Sequence, residues 1–349
     1  MLHTVPERER HRFDPIFARL EAESLERFGL AKVRLTPVGY EERPFSWLCR
    51  AAISSEATAT PALHVFIKIF KPKDPAAGVD LRARVVQDFA TTCEIHAFMA
   101  PWEDLGAVRP IACYEDELTI VTEQADGATL LDALQAHATW FPSRRRVEAL
   151  ASDLASVGRW LKHFQGFHPR DGHLSAAGLR EYVDTRLRRL VEHGVMSSGD
   201  RARILEHLQR IGHLVPEADL ADVAVHADLA PANILVSMHR VVMLDFAMAG
   251  RGTPLHDISR LHMQLDLLRA KPQFRRAVIA PLQAALLHGY DPALTAQRPL
   301  FRLLSMLHHV NHLGTLALRR ESFLARVVSA RAIAMHRRWI AAELESGAP

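Results

Sequence analysis

The stretch Val225-His226-Ala227-Asp228-Leu229-Ala230-Pro231-Ala232-Asn233-Ile234-Leu235-Val236 is followed, after a short connection, by Val241-Val242-Met243-Leu244-Asp245-Phe246. Asp228 and Asn233 stand five apart across a Pro-containing turn that regular helix does not tolerate. The apolar runs 234–236 and 241–244 are short, and Ser237-Met238-His239-Arg240 is the right length for a hairpin connection. Such a hairpin sets Asn233, at one strand's start, beside Asp245, at the other's end. Two carboxylates and an amide carbonyl then share one region. Magnesium takes such oxygen ligands and commonly shares them with substrate phosphates. One carboxylate and the carboxamide suffice for the metal, and Asp228 remains to accept a hydroxyl proton, as in kinase-type phosphoryl transfer. The plainer alternative is a polar turn whose Asp and Asn cap backbone amides.

His226-Ala227-Asp228, then Asn233, then Leu244-Asp245-Phe246 resemble the catalytic and metal-binding loops of the protein-kinase-like superfamily. They are most similar to its aminoglycoside phosphotransferase and choline kinase branch. The resemblance spans roughly residues 30 to 295. It implies an α+β, bilobal protein-kinase-like fold, with a small antiparallel-sheet N-lobe and a larger, mainly helical C-lobe. It implies ATP and Mg2+ as cofactors, Asp228 as the catalytic residue, and Asn233 and Asp245 as metal ligands.

The 349 residues suit about two domains. Apolar residues make up 48% and charged ones 24%, as in folded globular chains. A net charge of +3 makes no case for nucleic acid. Cys49, Cys93 and Cys113 are odd in number and widely spaced, which reads as free thiols in a reducing compartment. The charged N-terminus shows no secretory signal, and no apolar run reaches the roughly 20 residues of a membrane span. A cytoplasmic protein is the expectation.

Residues 1–29 read as a helical extension, with Phe13, Ile16, Phe17, Leu20 and Leu25 at helical spacing. Residues 30–125 read as the N-lobe. Val33 and Leu35 open one strand and Phe45–Ile53 forms another. The connection between them, Pro37 to Pro44, holds a single Gly39 and lacks the Gly-rich signature of protein kinases. A polar loop follows at 54–61. Leu63, Val65, Ile67 and Ile69 then alternate with Lys68 on the opposite face. A lysine so embedded needs a charged partner, unless it sits on an edge strand and reaches water. The resemblance supplies the partners: the phosphates of ATP and a helix glutamate, here Glu94, with Asp88 as the other acid of the helix read over 85–102. It also makes Glu123, Gln124 and Ala125 the hinge whose backbone meets adenine.

Residues 126–349 read as the C-lobe. Short and long amphipathic helices are expected at 130–134, 147–164, 179–193, 202–214, 274–287 and 300–318, with Gly289-Tyr290-Asp291-Pro292 as a helix stop. Asp257 lies twelve residues after Asp245, leaving no room for the phosphorylated activation segment of a protein kinase; it reads as a helix cap. Arg251 is either a phosphate contact or a solvated side chain. His308 and His312 share a face and read as a structural pair. The resemblance therefore implies a kinase for a hydroxyl of a small-molecule or saccharide acceptor. The alternatives are a kinase for a cell-envelope glycan or glycolipid, with peripheral membrane contact through the basic stretch Arg319–Arg338, and a nucleotide-binding pseudokinase.

Overall fold

The computed structural model describes residues 6–55, 61–71, 80–238, 240–319 and 323–346. The polar loop read at 54–61 falls largely on residues outside this set, as does Arg320 of the basic stretch. The chain forms two compact units, Met1–Gly127 with Val242–Ala247, and Ala128–Val241 with Met248–Pro349.

The first unit opens with helices α1 (Glu7–Arg10), α2 (Asp14–Ala22) and α3 (Ser24–Phe28). Phe13, Ile16 and Leu20 are buried in one core with Val33, Leu35, Cys49, Val65 and Ile67 of the sheet, so the N-terminal extension covers one face of it. Strands β1 (Val33–Arg43), β2 (Ser46–Ser55) and β3 (Pro61–Phe70) follow. Helix α4 (Leu81–Met99) separates them from β4 (Leu105–Ala107), β5 (Pro110–Tyr114) and β6 (Thr119–Glu123). The five-stranded sheet is antiparallel, in the order β1-β2-β3-β6-β5.

Two details of this sheet depart from the sequence reading. Strand β1 does not end at Pro37. It continues to Arg43 through a bulge between Pro37 and Gly39, so the connection to β2 is only Pro44-Phe45. A proline inside a strand is tolerated here because β1 is an edge, where its missing N–H breaks no ladder. Strand β3 is central, paired on both sides, so Lys68 is not an edge lysine.

In the second unit, β7 (Ala128–Thr129) leads into α5 (Leu130–His137), α6 (Arg144–Phe164), α7 (Ala176–Glu192) and α8 (Ser198–Gly212). Thr129, Ser143, Ser175 and Ser197 each accept a backbone N–H at the start of these helices, the usual device for closing a helix N-terminus. Then come β8 (Val223–Val225), β9 (Ile234–Val236), β10 (Val241–Met243) and β11 (Gly250–Gly252), of which β10 runs into the first unit. Helices α9 (His256–Leu267), α10 (Arg276–Tyr290), α11 (Pro299–Leu318) and α12 (Phe323–Ser346) complete the chain. Val183, Leu187, Ile204, Leu303, Leu307 and Ile340 share a core built from α7, α8, α11 and α12.

Helix α10 ends at Tyr290, with Asp291 as its C-cap, inside the stop read over 289–292, and Gly289 is its penultimate residue. Its role is close approach. A Cβ at Gly289 would stand 2.5 Å from Ala155 Cα of α6, and one at Gly158 would stand 2.6 Å from the Tyr290 amide. The two glycines let α6 and α10 touch backbone to backbone. His308 and His309 are buried, and His336 of α12 accepts or donates hydrogen bonds with both His309 (2.8 Å) and His312 (2.7 Å). The histidines are thus interior helix packing, with His309 stacked on Trp339.

Candidate active site

In the first unit, Lys68 Nζ bonds Asp245 Oδ1 at 3.2 Å. The strand places the lysine, and Asp245 is reached by the segment Val242–Ala247, anchored where Val108 N donates to Met243 O at 3.0 Å. Asp245 has φ +62°, a left-handed conformation that aspartate adopts more readily than most residues. It is a bend that turns the carboxylate out of the end of β10.

The helix carboxylate in the field of Lys68 is Asp88. Burial pushes its pKa up to about 6; the charge of Lys68 pulls against that, and the charge of Asp245 adds to it. Glu94, the residue favoured from the sequence, is exposed. Helical geometry explains the difference. Val85, Thr92, Ile95 and Met99 are the buried residues of α4, and position 88 falls on their stripe while position 94 does not. A charged residue on an otherwise buried stripe was the signal in the sequence.

At the hinge, the amides of Glu123 and Gln124 already donate within the sheet, to Arg109 O (2.9 Å) and His64 O (2.8 Å). The Glu123 carboxylate accepts from Arg109 Nη1 at 2.9 Å. The side-chain oxygen Oε1 of Gln124 is buried and, among the described residues, has no hydrogen-bond partner. Ala125 follows at the end of the strand.

The second unit carries the other loop. Asn233 Nδ2 donates to Asp228 O at 3.1 Å, which closes the turn and leaves the carbonyl oxygen of the amide for another partner. The connection after β9 is tied by the amide and hydroxyl of Ser237, both bonded to Arg240 O. Ala227 is left-handed, at φ +61°, a conformation that costs a non-glycine residue roughly 1–2 kcal/mol. Asp257 holds it there. Its buried carboxylate accepts from His226 N at 2.6 Å and from Ala227 N at 2.9 Å. Burial alone would raise the Asp257 pKa, but its hydrogen bond and attraction to His256, the nearby His226 charge and the His226 amide bring it below the ordinary value. Asp257 is therefore a brace for this loop, not the helix cap read from the sequence.

One turn along α9, Arg260 holds the loop's own acid. Its Nη2 donates to Asp228 Oδ1 at 2.6 Å and its Nη1 to Ala227 O at 3.1 Å. Sequence reasoning passed over Arg260, although its i, i+3 spacing from Asp257 puts both on one face of α9. The Asp228 side chain keeps 48% of its surface exposed, so it is held yet accessible. Arg251 is no phosphate contact. It bonds the carboxylate and carbonyl of Asp222 and the carbonyls of Phe167 and His168, locking β11 to neighbouring loops.

Residues 83–300, well over half of the chain, match the phosphotransferase enzyme family, APH. Solved structures share the fold. A choline/ethanolamine kinase family protein from Mesorhizobium loti is 14% identical, with a TM-score of 0.57 over 96% of this chain and 98% of that one. The aminoglycoside phosphotransferase APH(4)-Ia, as a thermostable mutant in ternary complex with ADP and hygromycin B, is 17% identical, with a TM-score of 0.53 over 95% of this chain and 99% of that one. No curated protein matches the chain. Among the described residues no helix is long and apolar enough to cross a membrane. The fold is protein-kinase-like, and the chain belongs to the phosphotransferase enzyme family.

Proposed function

We propose that the enzyme moves the γ-phosphoryl group of ATP to a hydroxyl of a small molecule or sugar, with Asp228 as the residue that receives that hydroxyl. The observation that carries this reading is the loop itself: an accessible carboxylate, fixed by Arg260 and by a turn that Asp257 and Asn233 brace. Fixing the acceptor oxygen in line with the phosphorus does most of what such a transfer requires.

The nucleotide falls to residues of the first unit. Lys68 binds the phosphate chain, with Asp88 in place of Glu94 as its helix partner. The orphaned Gln124 Oε1 fits an adenine amino group, because a buried acceptor without a donor is costly until a ligand supplies one. With the amides of Glu123 and Gln124 engaged, Ala125 N–H and the carbonyls of this run are the backbone groups for the adenine edge.

Magnesium fits the donors offered. Asp245 supplies a carboxylate and Asn233 a carbonyl oxygen whose amide nitrogen is already used. When bound, the ion neutralises charge on the phosphates. Asp228 orients the hydroxyl and takes its proton as the new O–P bond forms and the bond from the γ-phosphorus to the β–γ bridging oxygen breaks, with ADP as the leaving group. The complete polar set favours this reading over a nucleotide-binding pseudokinase.

The test is a screen of aminoglycosides, choline-like alcohols, sugars and lipid-linked glycans with γ-labelled ATP. Label transferred to a hydroxyl of one class, and lost in Asp228→Ala, supports the assignment. Label transferred equally well by Asp228→Ala overturns it.

A further inference from the structure

A pocket of about 400 Å³ opens in the second unit where the connection between α9 and α10 meets α12. Five cationic side chains line it: Arg269, Lys271, Arg276, Arg331 and Arg338. Among the described residues no acidic one lines it. On α12, Arg331, Met335 and Arg338 recur at i, i+4 and i+7, one helix face turned to the pocket. Among the described residues the only carboxylate bound to this group is Asp266, paired with Arg269 at 3.1 Å. Lys271, Arg276, Arg331 and Arg338 form no ion pair among the described residues.

So many like charges around one cavity repel each other in the free protein. Helix α10 adds to the imbalance. It begins at Arg276 with Arg275 at its N-cap, no capping side chain and no acid in its first turn. The positive end of a helix dipole disfavours cations and favours anions there. The pocket is far from Asp228 along the chain: α9 carries Asp257 and Arg260 in its first turns, and Arg269 follows its other end, roughly 18 Å of helix later.

We propose that this pocket binds a polyanion carrying two or more phosphate groups, separately from the nucleotide and the acceptor. Guanidinium groups suit such a ligand because each offers paired N–H donors to phosphate oxygens. The floor provided by Phe274 and Met335 is apolar and lowers the local dielectric, which strengthens the attraction. The phosphates are those of a free soluble molecule or of a lipid headgroup. Beside the pocket, Trp140 (61% exposed) and Phe141 (89% exposed) project at a loop tied to it by Trp140 N donating to Gln273 O and by Arg275, whose guanidinium lies 5.7 Å from the Phe141 ring. Exposed aromatics next to cations are the features that a lipid surface engages and a free phosphate does not.

The experiment measures binding to the full chain, saturated with AMP-PNP to occupy the nucleotide site. Inorganic tripolyphosphate is titrated calorimetrically, and vesicles of cardiolipin, whose headgroup carries two phosphates, in phosphatidylcholine are tested by co-sedimentation. The comparison variant is Arg276→Glu/Arg338→Glu. Both residues are exposed, and a glutamate at the first position of α10 suits the helix dipole, so the variant keeps its fold and its ATP turnover. Binding of tripolyphosphate that weakens at least about tenfold in the variant supports a soluble polyanion. Binding of vesicles alone, lost in the variant and in Trp140→Ser/Phe141→Ser, supports a lipid headgroup. Binding of neither probe, or binding that the charge reversal leaves unchanged, overturns the proposal.

Discussion

Arg260 Nη2 stands 2.6 Å from Asp228 Oδ1, and the same guanidinium reaches Ala227 O. The residue proposed to receive the acceptor is thus held from a helix 32 positions further along the chain. Replacing Arg260 with Ala removes a charged hydrogen bond worth about 1.5–3 kcal/mol, and kcat falls roughly 10- to 100-fold while KM for ATP is unchanged. Arg260→Lys recovers part of the loss, and added guanidinium restores activity to the Ala variant. A loss of global stability with kcat unaltered in the folded fraction contradicts the positioning role.

Asp257 braces the same loop from beneath. Asp257→Asn keeps the shape but leaves the amides of His226 and Ala227 with one acceptor instead of a carboxylate. The strained Ala227 loses support, and stability falls by about 2 kcal/mol with a parallel drop in turnover. Urea unfolding and steady-state rates check this, and AMP-PNP binding is expected to persist.

Asp88 and Glu94 separate in a binding assay. Asp88 shares the field of Lys68 and Asp245, and Glu94 is exposed. Asp88→Asn weakens AMP-PNP binding by about tenfold, a typical effect of removing one charged partner. Glu94→Gln leaves it unchanged. The reverse result makes Glu94 the partner of Lys68.

The buried histidines make the protein sensitive to acid. An ordinary imidazole takes up a proton near pH 6.5. Burial pushes His262 down to about 4 and His336 down to about 3, and takes His309 well below its ordinary value. Between those values and 6.5 the unfolded chain binds protons that the folded chain refuses. The histidine contribution to stability is therefore full above about pH 6.5 and declines as the pH falls below it, while Asp88 and Asp153, both raised to about 6 by burial, act in the opposite direction. His336→Gln removes one such proton and reduces the slope by about 1.4 kcal/mol per pH unit, read from urea unfolding between about pH 6 and pH 5.

Gly289→Ala tests the backbone contact between α6 and α10. The added methyl meets the backbone of Ala155, which has no flexible end to move aside. The cost is at least about 3 kcal/mol, and the variant is expected to unfold at lower urea or to accumulate insoluble. A soluble variant of wild-type stability removes this account of the crossing.

Part of the candidate site's layout was legible: the turn with Asp228 and Asn233 and the strand end before Asp245 fall where the apolar runs put them. Lys68 in an alternating apolar strand called for a charged partner, which the structure supplies as Asp245, while the central place of that strand was not legible. What escaped was three-dimensional. Asp88 shows only through helical phase, when the buried stripe of α4 is drawn. Arg260 and Asp257 read as an ordinary helix start until the structure shows them facing the loop. The stop at 289–292 was legible, and α10 ends there at Tyr290; the close approach that Gly289 allows was not, because it shows only once α6 is in place. The β1 bulge likewise let a strand run on through a proline that normally ends one.

The most direct test of the central claim is ATP turnover by purified Asp228→Asn, measured beside its AMP-PNP binding and with the acceptor that the screen identifies. The account predicts a fall of at least about 100-fold in turnover, the usual worth of a positioned proton acceptor, with nucleotide binding intact. Turnover near that of the wild type, with the same acceptor phosphorylated, would contradict it.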